Sequence, residues 1–141
     1  MPDILHRVGI GLPSARVFEA ISTIEGLQHW WVAETKGDAS LGGLIDFGFC
    51  TMKVIESHPN TVRWECIAGP HEWFGTHVSF DLEFKDHQTY VLFRHSDWKE
   101  PVEFMYHCST KWATFLLSLK SYLEHDEGRP APYDVKISVG D

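Results

Sequence analysis

The sequence predicts an α+β fold in which a curved antiparallel sheet of about six strands wraps a single long C-terminal helix, with two short helices between the first and second strands. Three observations predict it. Between residues 42 and 97 apolar side chains recur at every second position in segments separated by hairpin-length turns, the mark of antiparallel strands with one buried face. Between residues 100 and 128 Phe104, Met105, Cys108, Trp112, Phe115, Leu116, Leu119, Tyr122 and Leu123 share one broad face at about 100° per residue, as a long amphipathic helix requires. The chain has 141 residues, 43% of them hydrophobic, which is enough to bury a sizeable core. One helix facing that much sheet forces the sheet to bow around it.

The elements follow in order. Ile4, His6, Val8 and Ile10 alternate against Leu5, Arg7 and Gly9, giving a first strand. Gly11-Leu12-Pro13-Ser14 breaks it and opens a short helix through Ala15, Val17, Phe18, Ala20 and Ile21. Ser22-Thr23-Ile24-Glu25 has capping-box spacing and starts a second short helix ending near Trp30-Trp31. Strands are expected over 43–49, 52–56, 61–68, 76–85 and 89–97, with turns at His58-Pro59-Asn60, Gly69-Pro70-His71-Glu72 and Lys85-Asp86-His87-Gln88. In the last strand two registers stay open, with Val91, Phe93 and His95 inward or Tyr90, Leu92 and Arg94 inward. Pro101 suits the first turn of the long helix and Gly128 its stop. Residues 1–128 read as one domain and 129–141 as a C-terminal tail, in which Tyr133 to Val139 alternates like an extra strand able to pair with a sheet edge, its own or a neighbour's.

Composition narrows the function classes. The chain carries 12 basic and 20 acidic residues, a net charge of −8 that repels phosphate backbones and anionic lipid, so neither nucleic acid nor a membrane surface is an expected partner. Three cysteines cannot all pair and show no CxxC spacing, as in a reduced, cytoplasmic protein. No apolar run reaches the 18 residues of a membrane span, and residues 1–7 lack the apolar core of a signal peptide.

Further pieces carry a resemblance. They are Leu12-Pro13-Ser14-Ala15-Arg16-Val17-Phe18 leading to Leu27-Gln28-His29-Trp30-Trp31, the Gly42-Gly43 opening of the second strand, Thr61-Val62-Arg63-Trp64, Gly75-Thr76-His77-Val78-Ser79-Phe80, Val91-Leu92-Phe93-Arg94-His95-Ser96, and Trp112 with Leu116, Leu119 and Lys120. In this order the chain resembles the START, birch-pollen-allergen and polyketide-cyclase (SRPBCC) superfamily, and most of all its heat-shock protein 90 ATPase activator branch. The resemblance spans about residues 3–128 and implies the helix-grip fold. It departs at Phe49-Cys50-Thr51-Met52, where almost no loop separates two strands that relatives often connect at greater length.

The expected function is binding of a hydrophobic or aromatic small molecule, lipid- or polyketide-like, in an internal cavity between the sheet and the C-terminal helix, without a cofactor or metal. The expected lining is Phe104, Met105, Cys108 and Trp112 from the helix and Phe47, Phe49, Trp64, Val78, Phe80 and Phe93 from the sheet, with Trp30 and Trp73 at the rim. The alternative for each is plain core packing. Nine histidines include no HExxH or other ligand spacing. His6 and His95 fall on inward strand positions, where a histidine binds a ligand, moves protons, or is satisfied in the core by backbone or water. Two other functions stay open. One is a polyketide cyclase or dehydratase using His6 or His95. The other, implied by the resemblance, is a chaperone-associated interaction module. A homodimer joined through the tail is a further expectation.

Overall fold

The computed structural model describes residues 2–140. Seven strands form one antiparallel sheet: β1 (Ile4–Ile10), β2 (Lys36–Gly37), β3 (Leu44–Asp46), β4 (Thr51–His58), β5 (Thr61–Ala68), β6 (His77–Lys85) and β7 (Gln88–Ser96). Their order across the sheet is β1-β7-β6-β5-β4-β3-β2. The chain leaves the sheet after β1, forms α1 (Ser14–Ser22) and α2 (Ile24–Trp30), re-enters at the far edge, and meanders back until β7 pairs with β1. The helix α3 (Glu103–His125) then packs on the sheet face that carries the buried residues. One strand more than expected is present, because two-residue β2 is too short to show alternation.

Alternation fixes the buried face as the sequence implies. In β5 the buried side chains are Val62, Trp64 and Cys66, in β6 Val78, Phe80 and Leu82, and in β7 Val91, Phe93 and His95, which resolves the two registers left open for that strand. Phe84 keeps the phase yet is 55% exposed. The β6–β7 turn works because Asp86 and His87 have φ of 55° and 61°, the pair of positive values that a two-residue type I′ hairpin needs. Register shifts between Thr51 and Met52 and between Val54 and Glu56 interrupt β4, and such irregularities bend a strand and increase its twist.

Several local boundaries differ from expectation, and the strand expected over 43–49 stops at Asp46, before the turn at Gly48. The second helix is capped by Thr23, whose hydroxyl accepts from the Gly26 N–H at 3.0 Å, while Ser22 donates back to Phe18 O at 2.6 Å. The long helix begins at Glu103 rather than Pro101, because Val102 is still extended and serves as N-cap. It ends at Asp126, in the left-handed region at φ 58°, whose N–H reaches Tyr122 O at 2.9 Å. Gly128 does not stop the helix; a Cβ there would lie 1.9 Å from His29 O, so its lack of a side chain lets the chain pass α2.

The C-terminal half of α3 is tied down on several sides. Lys120 Nζ donates to Gly9 O at 2.6 Å, the Gly11 N–H donates to Glu124 Oε2 at 2.8 Å, and Ser118 Oγ donates to Trp30 O at 2.8 Å while accepting from the Arg129 N–H at 2.7 Å. Among the described residues the tail forms no strand. Its contact with the rest of the backbone is an isolated parallel bridge of Ala131 to Val32, with Ala131 N–H on Trp31 O at 2.6 Å and Ala33 N–H on Ala131 O at 2.9 Å. The tail's alternation fails to make a strand because its buried residue is a charge: Asp134 is inside, whereas Tyr133 and Val135 are 69% and 40% exposed.

Candidate functional site

Rings occupy the space between sheet and helix where an internal cavity was expected. Trp31, from the end of α2, stacks on Trp64 with centroids 5.8 Å apart and planes 4° from parallel, and contacts Phe47 at 4.2 Å and Trp112 at 4.8 Å. Phe80 meets Trp64 at 5.2 Å and Phe93 at 5.4 Å, both edge to face, and Phe93 contacts Trp112 at 4.5 Å. Phe47, Trp64, Val78, Phe80 and Phe93, read from sequence as lining, are therefore core side chains at 2% exposure or less. Trp30 also lies inside rather than at the rim. It is fully buried, and its indole N–H is taken by Ala20 O at 2.8 Å. Dense ring contacts of this kind match the close packing of protein interiors.

His95 is buried at the centre of this packing. The Trp112 indole can only donate, and it lies 3.1 Å from His95 Nδ1, so Nδ1 is the acceptor and the ring hydrogen sits on Nε2. Nε2 then donates to Thr76 Oγ1 at 2.8 Å, and the Thr76 hydroxyl donates to Trp73 O at 2.6 Å. Both ring nitrogens and the hydroxyl are thereby used. Burial, with a smaller repulsion from His77, pushes the His95 pKa down to about 3, so the ring is neutral at ordinary pH. No ring nitrogen is left for a substrate's proton, so the structure gives His95 a satisfied-core role. His6 is half-buried, with Nε2 3.0 Å from Ser109 O and 3.2 Å from Ser109 Oγ, and it ties β1 to α3.

What stays open lies at the end of this packing. A groove of about 250 Å³ runs between the N-terminal half of α3, the β3–β4 turn and the short 3-10 turn His71–Trp73. Its walls are Trp31, Phe49, Pro70, Trp73, Phe104, Cys108, Trp112 and Phe115, with His107, Lys111, Ala131 and Asp134 on the helix and tail sides. Local backbone explains the walls. Gly48 takes φ 86° in a turn closed by the Phe47 N–H on Cys50 O at 2.9 Å, which leaves Phe49 at the tip, 48% exposed, edge-on to Trp73 at 5.4 Å. Trp73 is fixed from the other side, its indole N–H donating to Cys108 Sγ at 3.4 Å. Burial pushes the Cys108 thiol up to about 11 despite that bond, which keeps it protonated near neutral pH.

Of the residues singled out in the sequence, the groove gathers Phe49, Trp73, Phe104, Cys108 and Trp112, whereas Met105 packs half-buried against the core outside it. Sequence reasoning missed Trp31, Pro70, His107, Lys111, Phe115, Ala131 and Asp134. Trp31 and Phe115 carried a signal, since both are large rings at helix positions facing the sheet. Asp134 carried none, because nothing local marks a tail residue as buried. Concavities of about 350, 450 and 390 Å³ elsewhere carry charged side chains such as Arg16 and Glu19, Arg7 and Arg94, or Arg63 and Asp97, and none gathers more than one Phe, Tyr or Trp ring. Among the described residues no group of three or more His, Cys, Asp or Glu side chains is placed to hold a metal ion, and no helix is long and apolar enough to cross a membrane.

The family model for Activator of Hsp90 ATPase homolog 1-like protein matches residues 12–124. The Aha1 dimer from Colwellia psychrerythraea, solved in solution, is 43% identical, covers 91% of this chain with 100% of its own, and superposes with a TM-score of 0.81. Protein SSP2350 from Staphylococcus saprophyticus, at 20% identity with 92% and 98% coverage and a TM-score of 0.75, shares the fold. So does CalU16 from Micromonospora echinospora, at 19% identity, 92% and 77% coverage and a TM-score of 0.76. No curated protein matches the chain.

Proposed function

We propose, from the premise that the chain belongs to the activator of Hsp90 ATPase homolog 1-like family of the SRPBCC superfamily, that it binds a small hydrophobic or aromatic molecule in the groove beside the N-terminal half of α3. The observation that carries this reading is the groove's lining. Three tryptophans and three phenylalanines border about 250 Å³ of open space, whereas the rings deeper between sheet and helix are sealed against one another. That volume lies just below the roughly 300 Å³ at which drug-sized pockets begin, so the ligand is one flat ring system or the end of a chain, not a whole polyketide. Dispersion and desolvation supply the binding, and few polar groups orient it. The three buried, free cysteines suit a reducing, cytoplasmic setting.

The test is a titration with N-phenyl-1-naphthylamine, a neutral apolar dye, read by its fluorescence. The wild-type protein brightens the dye saturably, and Cys108→Trp, which puts an indole into the groove, abolishes the signal; because Cys108 is buried, Phe49→Ser at the exposed turn tip serves as a second variant and weakens the signal several-fold. Equal brightening by all three proteins would locate the dye elsewhere and refute the reading.

A second reading rests on the 43% identical relative, which is an Aha1 and a dimer. By that likeness the chain engages a heat-shock protein 90 ATPase, and self-associates. Stimulation of that ATPase by the wild type and equally by Cys108→Trp supports a role independent of the groove, and light scattering after gel filtration gives the oligomeric state.

A further inference from the structure

The apolar groove has a charged rim. Lys111 of α3 donates from Nζ to Asp134 Oδ2 at 2.6 Å and to Val135 O at 3.1 Å, and the two ion-pair side chains are only 15% and 7% exposed. Both border the groove. Burial pushes the Asp134 carboxyl up, and the Lys111 hydrogen bond and the charges of Lys111 and Lys136 more than reverse this, holding it below the usual carboxylate range. The anion of this pair comes from the tail. Beyond Ala131 the tail exposes Tyr133 and Val135, and Lys136 bonds within the tail itself, to Pro132 O at 3.0 Å.

Building on the ligand-binding reading above, we propose that the groove selects aromatic carboxylates, whose carboxylate takes the place of Asp134 on Lys111 and releases the tail. Trading one carboxylate for another leaves no buried charge unpaired, which is the condition under which a buried ion pair can be opened without a large penalty. A neutral aromatic of the same shape gains the ring burial but leaves the Lys111–Asp134 pair in place. The acid makes to Lys111 the charge-assisted hydrogen bond that Asp134 gives up, and its net advantage is the conformational freedom returned to the tail. Asp134 returns to water, where a carboxylate is well solvated. His107, stacked on Phe104 at 5.7 Å, lies on the same rim.

The experiment compares 2-naphthoate with 2-naphthamide, equal in shape and different in charge, by tryptophan quenching at pH 7 and low salt. Wild type is expected to bind the acid about tenfold more tightly. Asp134→Asn, which removes the carboxylate that the ligand must displace, raises naphthoate affinity several-fold and moves naphthamide less than twofold, and Lys111→Met erases the difference between them. Hydrogen exchange on the unmodified protein supplies a readout that needs no variant: naphthoate speeds exchange over residues 133–138 and naphthamide does not. Equal affinities for the two compounds in all three proteins, or no change in tail exchange, would overturn the inference while leaving the groove's ligand reading intact. Absence of binding by either compound and by the neutral dye would remove that reading, and the inference with it.

Discussion

The two halves of α3 share one amphipathic pattern and do different things. Leu116, Ser118 and Leu119 in the C-terminal half are at most 5% exposed, and Ser118, Lys120 and Glu124 bond to α2, β1 and the loop after it. In the N-terminal half Phe104 and Met105 are half-buried and the facing surfaces are two turns with an aromatic groove between them, whereas the concavity at the far end, beside half-buried Tyr122 and Leu123, is walled by Arg16, Glu19 and Asp126. The difference comes from what each half meets. Helix and strand present backbone carbonyls and N–H groups at fixed heights, which side chains can use to close the interface. Turns present ring edges, which pack without closing. Apolar periodicity thus reports that a helix face is covered, and says nothing of whether the cover is sealed.

The largest expected effect comes at the boundary between the halves. Trp112 is 2% exposed, contacts Trp31 and Phe93, and donates to His95. Trp112→Ala should cost about 3–5 kcal/mol in urea unfolding, because it opens a cavity and strands His95 Nδ1. A loss below about 1.5 kcal/mol would mean that the sealed packing does not extend this far. Next in size is a pH effect. The unfolded His95 takes up a proton below about pH 6.5, whereas the folded one stays neutral until about 3. Stability from this group is therefore complete above pH 6.5 and falls by about 1.4 kcal/mol per unit as pH drops toward 3. Between pH 6.5 and 4.5 the wild type should lose about 2 kcal/mol more than His95→Gln, measured as the difference in unfolding free energy; parallel curves would show that His95 reaches solvent. Third is Ser118→Ala, which unties both Trp30 O and the Arg129 N–H and should cost about 1–2 kcal/mol. A negligible change would leave the C-terminal half no better closed than the other.

Much of this architecture could be read from residues alone, and the failures have physical reasons. Alternation identified the long strands and their buried face, since a half-buried sheet imposes period two wherever it lasts four residues or more; two-residue β2 cannot display it. The helix pattern found α3 but misplaced both ends, because Pro101 and Gly128 are good terminators that here serve an extended approach and a close passage past His29. The aromatic residues were recognised as interior, yet their division between core and groove was not legible. Phe47 and Phe49 occupy the same phase of one hairpin and differ only in that Gly48 turns the chain between them, leaving one at 2% and the other at 48% exposure. Lys111 and Asp134 are 23 residues apart with no shared pattern, so their pairing is a product of the tail's path alone.

That pair of phenylalanines supplies the smallest stability effect and the sharpest separation of the two regions. Phe49 touches Trp31 and Trp73 edge-on from a solvent-exposed turn tip, so Phe49→Ser should change stability by no more than about 0.5–1 kcal/mol. Its ring still forms one wall of the groove, so the affinity of the neutral naphthyl dye should fall several-fold. Stability and binding would then move independently at Phe49 and together at Trp112. If Phe49→Ser instead destabilises the protein as much as the Trp112 change and leaves dye affinity untouched, the open end of α3 is core like the rest.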